Sequence, residues 1–218
     1  MVLIKNINMN IESEQNPELN EINKKIDEAK KEESDLELRE AYVLRAEYYR
    51  KQNSHKLCIE SYDLAISKTA GAQKKLEYSL AILQIHFELK DWEPFSKCLE
   101  VCQKLNEEGG DWEKRNKLKV YEGIWMMLKR DLVGAANMFL SCIDTFNAPE
   151  IISFNQLVFF GAILGLVTLP RKDLKKKVFG NSEVIAILRE DALLENYLNS
   201  LYNRRYEQYF SYLGKLSS

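Results

Sequence analysis

Histidine is nearly missing from this sequence: His55 and His86 are the two imidazoles in 218 residues. An HExxH metal helix needs two of them one turn apart, and the sequence contains no such motif and no GxSxG nucleophile elbow. The two histidines also fall in different repeats, so no nucleophile can be paired with a base. Cysteine is scarce too. Cys58, Cys98, Cys102 and Cys142 sit inside apolar helical patterns, which excludes a disulfide framework and points to a reducing compartment. Cys98 and Cys102 lie one helical turn apart, but structural zinc takes four ligands and there is no CxxC pair, so they read as two small core residues. The acids Glu107 and Glu108 fall on a helix end expected to be exposed, where nothing would raise a carboxyl pKa for acid catalysis. No cofactor, no metal and no enzymatic role are expected.

Charge of one sign and long hydrophobic runs are lacking as well. Lys plus Arg number 31 against 33 Asp plus Glu, and a net charge of -2 gives no whole-molecule attraction to nucleic acid or to an anionic membrane. Neither is expected as a partner. The strongest apolar stretch, FNQLVFFGAILGLVTLP from Phe154 to Pro170, holds about thirteen unbroken apolar or small residues where a bilayer span needs roughly 20. It reads as a buried helix of a soluble intracellular protein. The opening MVLIKNINMN has no long apolar region and no small-residue cleavage site, so it does not read as a secretory signal.

Four prolines and nine glycines leave few breaks, and apolar residues, 45% of the chain, recur at three and four rather than at two. The chain therefore reads as almost entirely α-helical. Residues 1–15 are expected to be poorly ordered. In NPELNEINKKIDEAKK, Asn16 offers an N-cap and Pro17 a first helical position, with Leu19, Ile22, Ile26 and Ala29 on one stripe. SDLE, Ser34 to Glu37, fits a capping box and starts a second helix reaching about Gln52.

Related helix pairs follow. Two antiparallel helices approach closely where a small side chain faces a large one, and such residues recur at set offsets in tetratricopeptide-like hairpins. Ala46, Tyr49, Cys58, Tyr62 and Ala65 make one set; Leu83, His86, Phe95, Leu99 and Cys102 a second; Gly123, Met126, Ala135, Phe139 and Cys142 a third. Ala46 to Leu83 to Gly123 gives steps of 37 and 40, longer than the usual 34 or so. Residues 16–148 thus read as a helical-repeat solenoid. From Pro149 the pattern changes: an apolar helix opens, LPRKDLKKKVF makes a basic connection, and DALLENYLNSLYNRRYEQYFSYL forms a last helical stretch.

Between the second and third repeats lies NEEGGDWEKRNKLKVYEG, Asn106 to Gly123. It lacks the Lys and Ser or Thr of a Walker loop and the spaced glycines of a dinucleotide fingerprint. Gly109 or Gly110 is expected to take the left-handed position ending one helix, and Asp111 to cap the next. Trp112 is expected to fold back as a staple. Lys114, Arg115, Lys117 and Lys119 point in several directions and form a solvated face rather than a nucleic-acid site.

The same block, EEGGDWEKRNKLKVYEG, together with RDLVGAANMFLSCIDTF, LPRKDLKKKVF and SLYNRRYEQYFSYL, resembles the lid-subunit-seven family of PCI-domain, non-ATPase components of the 26S proteasome regulatory particle. The resemblance runs from about Leu36 to Leu213. It implies an all-α, right-handed, tetratricopeptide-like arm leading into a PCI module, with residues 149–218 as that module's helical part. It implies a non-catalytic scaffold, with other lid and regulatory-particle subunits as partners and a place in cytoplasm and nucleus. The winged-helix half that follows in the family is expected to be missing, as in a naturally short form or a fragment of a longer product. A free-standing peptide-binding adaptor, or a subunit of a related PCI complex such as the signalosome, is the alternative.

Candidate partner-binding residues lie on three surfaces: Trp112, Arg115 and Lys117 after the hinge Gly109, Gly110 and Asp111; Lys172 and Lys175 in the basic run; and Tyr206, Tyr209 and Phe210 near the end. The last three are expected to be partly uncovered, so that the isolated chain self-associates or is loosely ordered beyond about Tyr202.

Overall fold

The computed structural model describes residues 17–216, and every regular element among them is helical. The order expected for residues 1–15 and the cap expected at Asn16 lie outside the described residues. The chain divides into two compact units, one ending at Asp111 and the other beginning at Trp112. The sequence-based boundary at 148/149 falls inside the second.

In the first unit, α1 (Pro17–Lys31) opens on Pro17, whose missing N–H has no helical partner to lose, and it buries Leu19, Ile22, Ile26 and Ala29. α2 (Asp35–Lys51) is capped by Ser34, whose side chain accepts the Glu37 N–H at 3.4 Å. Then come α3 (His55–Ser67), α4 (Ala72–Glu88) and α5 (Trp92–Gly109). The principal contacts of each helix are with its neighbours in sequence. Small residues bring α2 and α3 together: Ala46, Cys58 and Ala65 are fully buried, and the Cys58 thiol donates to the Ala46 carbonyl at 3.1 Å. Tyr62 of α3 stacks on Tyr78 of α4 with ring centres 6.2 Å apart, which joins one hairpin to the next.

The second unit holds α6 (Trp112–Leu128), α7 (Leu132–Cys142), a short 3-10 turn at Ile143–Thr145, α8 (Phe154–Thr168), α9 (Arg171–Lys177), α10 (Ser182–Glu190), α11 (Ala192–Tyr202) and α12 (Tyr206–Leu216). The third small-to-large contact is here. A β-carbon at Gly123 of α6 would come within 2.6 Å of the Phe139 ring on α7. Glycines serve α8 likewise, since Gly161 and Gly165 lie against Leu140 of α7.

Three boundaries differ from those read in the sequence. The apolar helix starts at Phe154 rather than Pro149, because Ser153 accepts the Gln156 N–H at 3.2 Å while the Gln156 side chain takes the Ser153 N–H at 3.0 Å, a complete capping box. The basic connection is helical as α9, held down by buried Leu174 and, at its end, Val178. The final helical stretch is split into α11 and α12 by a turn at Arg204.

That turn is one of a set. Glu33, Asn53, Lys90, Arg130 and Arg204 have φ of 52, 54, 55, 63 and 61, the left-handed region that favours glycine. Each follows a helix end, and the next residue's N–H returns to a carbonyl five back: Ser54 to Tyr49 at 2.9 Å, Asp91 to His86 at 3.0 Å, Asp131 to Met126 at 2.9 Å. This is the Schellman arrangement. From 53 to 90 to 130 the steps are again 37 and 40, so the repeat is written in its turns as well as in its core. Lys90→Gly and Arg130→Gly are each expected to stabilise by up to about 1 kcal/mol, the relief of β-carbon strain less glycine's greater unfolded freedom. Thermal melts of the two variants check this, and a lower midpoint for both would show that these turns carry no strain.

Candidate functional site

The stretch between the units is built differently from the expectation. α5 runs to Gly109, and Gly110 follows with φ -67 and ψ 132, ordinary extended backbone. No glycine among the described residues has positive φ, so the left-handed cap expected at Gly109 or Gly110 is overturned. The helix instead leaves directly into extended chain, with the Gly110 N–H held by the Asn106 carbonyl at 2.9 Å. Close approach is what requires glycine at 110: a β-carbon there would lie 2.9 Å from Asn106 Cα and overlap its side-chain amide, whereas nothing lies within 4 Å at 109. Asp111 then ends the first unit.

Trp112, the first residue of α6, is 62% exposed, which overturns the packed staple. An indole so placed presents a broad apolar face. Arg115 is exposed, but Lys117 is half-buried and ion-paired with Glu150, so it is not a free cation. Glu113, in the first turn, accepts from the Asn147 side chain, a second tie between α6 and the segment before α8. Burial pushes the Cys142 thiol up to about 11, with the Lys119 charge acting against it.

On α9, Lys172 and Lys175 are exposed, Arg171 lies 4.4 Å over the Tyr202 ring, and Lys177 donates to the Asn137 side-chain Oδ1 at 3.0 Å. The aromatic set of α12 divides. Tyr206 and Phe210 are exposed, 57% and 64%, but Tyr209 turns inward: its hydroxyl is 3.0 Å from that of Tyr197 and the rings stack at 4.9 Å. Burial, followed by that hydrogen bond, pushes the Tyr197 phenol up. The single stripe of Tyr206, Tyr209 and Phe210 is therefore corrected to an outer face of Tyr206, Phe210 and Leu213, four and three residues apart.

Sequence reasoning missed one surface. α3, α4 and α5 bound an open groove of about 430 Å³, with Ile59 and Ile66 from α3, Ile82 and His86 from α4, and Cys98 and Val101 from α5. The signal for it is a second apolar edge on α5, Cys98, Val101 and Leu105, set one residue off the core edge Phe95, Leu99 and Cys102. Cys98 opens on this groove and donates to the Ser79 carbonyl at 3.4 Å, while Cys102 is fully buried.

Burial also lowers the pKa of His86, with Asp91 and Asp63 nearby acting the other way. The folded chain then holds this imidazole neutral where the unfolded chain, near its ordinary value of about 6.5, begins to take up a proton. Stability from this group is present above that value and is lost as pH falls through the lowered folded pKa. The drop in melting temperature between pH 7.5 and 5.5 is expected to be smaller in His86→Gln than in the parent. Equal drops would show that His86 titrates alike in both states.

Among the described residues no three or more His, Cys, Asp or Glu side chains form a group that could hold a metal, and no helix is long and apolar enough to cross a membrane. The surfaces offered are apolar, aromatic and basic, the chemistry of protein contacts.

The family model described as 26S proteasome subunit RPN7 matches residues 5–177. The chain is 35% identical over 194 residues to the 26S proteasome non-ATPase regulatory subunit 6 homolog of Arabidopsis thaliana, covering 89% of this chain and 50% of that protein. It is 32% identical over 200 residues to the 26S proteasome non-ATPase regulatory subunit 6 of Oryza sativa, 92% of this chain and 51% of that one. To the 26S proteasome regulatory subunit rpn7 of Schizosaccharomyces pombe it is 31% identical over 199 residues, 90% of this chain and 50% of that one. The chain spans about half the length of these relatives. With the family match running through both compact units, this chain belongs to the 26S proteasome subunit RPN7 family.

Proposed function

We propose that this chain is a non-catalytic scaffold subunit of the proteasome regulatory particle's lid, supporting lid assembly and so ubiquitin-dependent protein degradation. The family match over residues 5–177 carries the reading. Relatives named non-ATPase regulatory subunits support it, as do helical hairpins that expose large apolar and aromatic side chains, among them Trp112, Tyr206 and Phe210. Its partners are other lid and regulatory-particle subunits, residues from 149 onward serve as the helical part of a PCI module, and its place is the cytoplasm and nucleus. Trp112, Arg115, Lys172, Lys175, Tyr206 and Phe210, all exposed, are the candidates for meeting those neighbours.

The experiment is affinity purification of intact regulatory particles from the source cells, followed by mass spectrometry. The chain is expected at a stoichiometry comparable to the other lid subunits. Its absence from intact particles, in cells that contain it, would remove the proposal.

A further inference from the structure

The outer face of α12 and the groove over α4 match one another in length, polarity and apolar character. The groove follows α4 from Lys75 to His86, twelve residues whose eleven steps cover about 16 Å at roughly 1.5 Å per residue. Most of its exposed lining is apolar, with Ile82 buried beneath and Val101 49% exposed at the lip. From Arg205 to Leu216, the turn residue and the helix α12 also make twelve residues. Its face of Tyr206, Phe210 and Leu213 rests on nothing within its own unit that buries it.

Charge sets the direction. Asp63, on the α3 wall, makes no ion pair or side-chain hydrogen bond among the described residues, and Lys97, the cation on the α5 wall, is held by Glu93 at 2.8 Å; burial raises the Asp63 pKa. Asp63 lies at the His86 end, since the two groups act on one another electrostatically, and burial lowers the His86 pKa. Lys75, at the other end, has no ion-pair partner among the described residues. Arg204 and Arg205, exposed and likewise unpaired, stand just before the positive N-terminal end of α12, while its last carbonyls carry partial negative charge. Lys215 is drawn aside over the Tyr212 ring at 5.5 Å. A helix laid antiparallel to α4 therefore sets Arg205 by Asp63 and its carbonyl end by Lys75.

We infer that a second copy of this chain is the occupant: the Tyr206, Phe210 and Leu213 face of one copy seats in the α3–α4–α5 groove of the next. The contact is head-to-tail, each copy offering one helix and one groove, so it extends with concentration rather than stopping at a pair. This goes beyond the proposed scaffold role and does not depend on it.

Sedimentation velocity of the full chain over a concentration series tests it. The parent's weight-average mass is expected to rise past that of a dimer. Phe210→Glu, which spoils the helix face, and Val101→Glu, which spoils the groove, are each expected to stay monomeric. Mixed in equal amounts they should pair, because each keeps the half the other lacks, and growth should stop at twice the chain mass. A monomeric parent, a monomeric mixture, or association by either single variant would overturn the inference; the last would mean that α12 pairs with α12 or that another surface is used. Both positions are exposed, and circular dichroism checks the fold. Should a glutamate variant lose helix, Phe210→Ser and Val101→Ser take its place.

Discussion

Phe139→Ala is expected to lower stability by about 3–5 kcal/mol, the usual loss when a buried ring leaves a cavity. Phe139 is fully buried on α7, with the bare face of Gly123 on α6 against it and Gly161 of α8 near its β-carbon. Neighbouring helices are thus spaced around one ring. Gly123→Ala in the parent adds a methyl 2.6 Å from that ring and is expected to cost about 1–3 kcal/mol. In the Phe139→Ala background the same methyl enters empty space, and helix propensity favours alanine over glycine by about 1 kcal/mol, so the sign reverses. Urea melts of the four proteins give the coupling directly. Additive losses would show that Gly123 and Phe139 do not share the space assigned to them.

Gly110→Val is expected to cost about 1–3 kcal/mol, while Gly109→Ala is neutral or stabilising by up to about 1 kcal/mol. The two adjacent glycines look alike in sequence and differ in surroundings: 109 is the last helical residue in open space, and 110 lies on the Asn106 side chain. Because φ at 110 suits any residue, the loss comes from contact alone. Asn106→Ala should therefore recover part of it, since the nearest atoms belong to the amide while the Asn106 Cα at 2.9 Å remains. Recovery of none, with Gly109→Ala as damaging as Gly110→Val, would mean that the left-handed cap forms after all.

The helical hairpins were legible because small residues at fixed offsets report interhelical distance. Ala46, Cys58, Gly123 and Phe139 are all where that rule puts them. The stripe of α1 was legible for a similar reason, since a surface helix buries residues three and four apart. Turns were less so. Sequence logic assigned the left-handed position to Gly109 or Gly110, yet the structure places it at Lys90 and Arg130, where backbone hydrogen bonds outweigh side-chain preference. The hinge and basic residues were found as surface features, but the fate of Lys117 was not, because Glu150 lies thirty-three positions away and no local pattern announces the pair. Tyr209 was misplaced for the same reason: helical spacing groups it with Tyr206 and Phe210, and Tyr197 across the hairpin decides which way it faces. The groove went unread because it belongs to three helices at once.

The neighbour-on-neighbour packing of α1 to α5 also bears on how the chain is made. Contacts that close over short sequence distances carry little loop entropy, so low contact order favours fast formation. At about 5–20 residues per second, a ribosome releases one 37- or 40-residue step in roughly 2–8 s, long compared with the microseconds in which helices form. Each hairpin can therefore settle on its predecessor before the next one emerges, and the first unit can grow by accretion during synthesis without waiting for its C-terminal end.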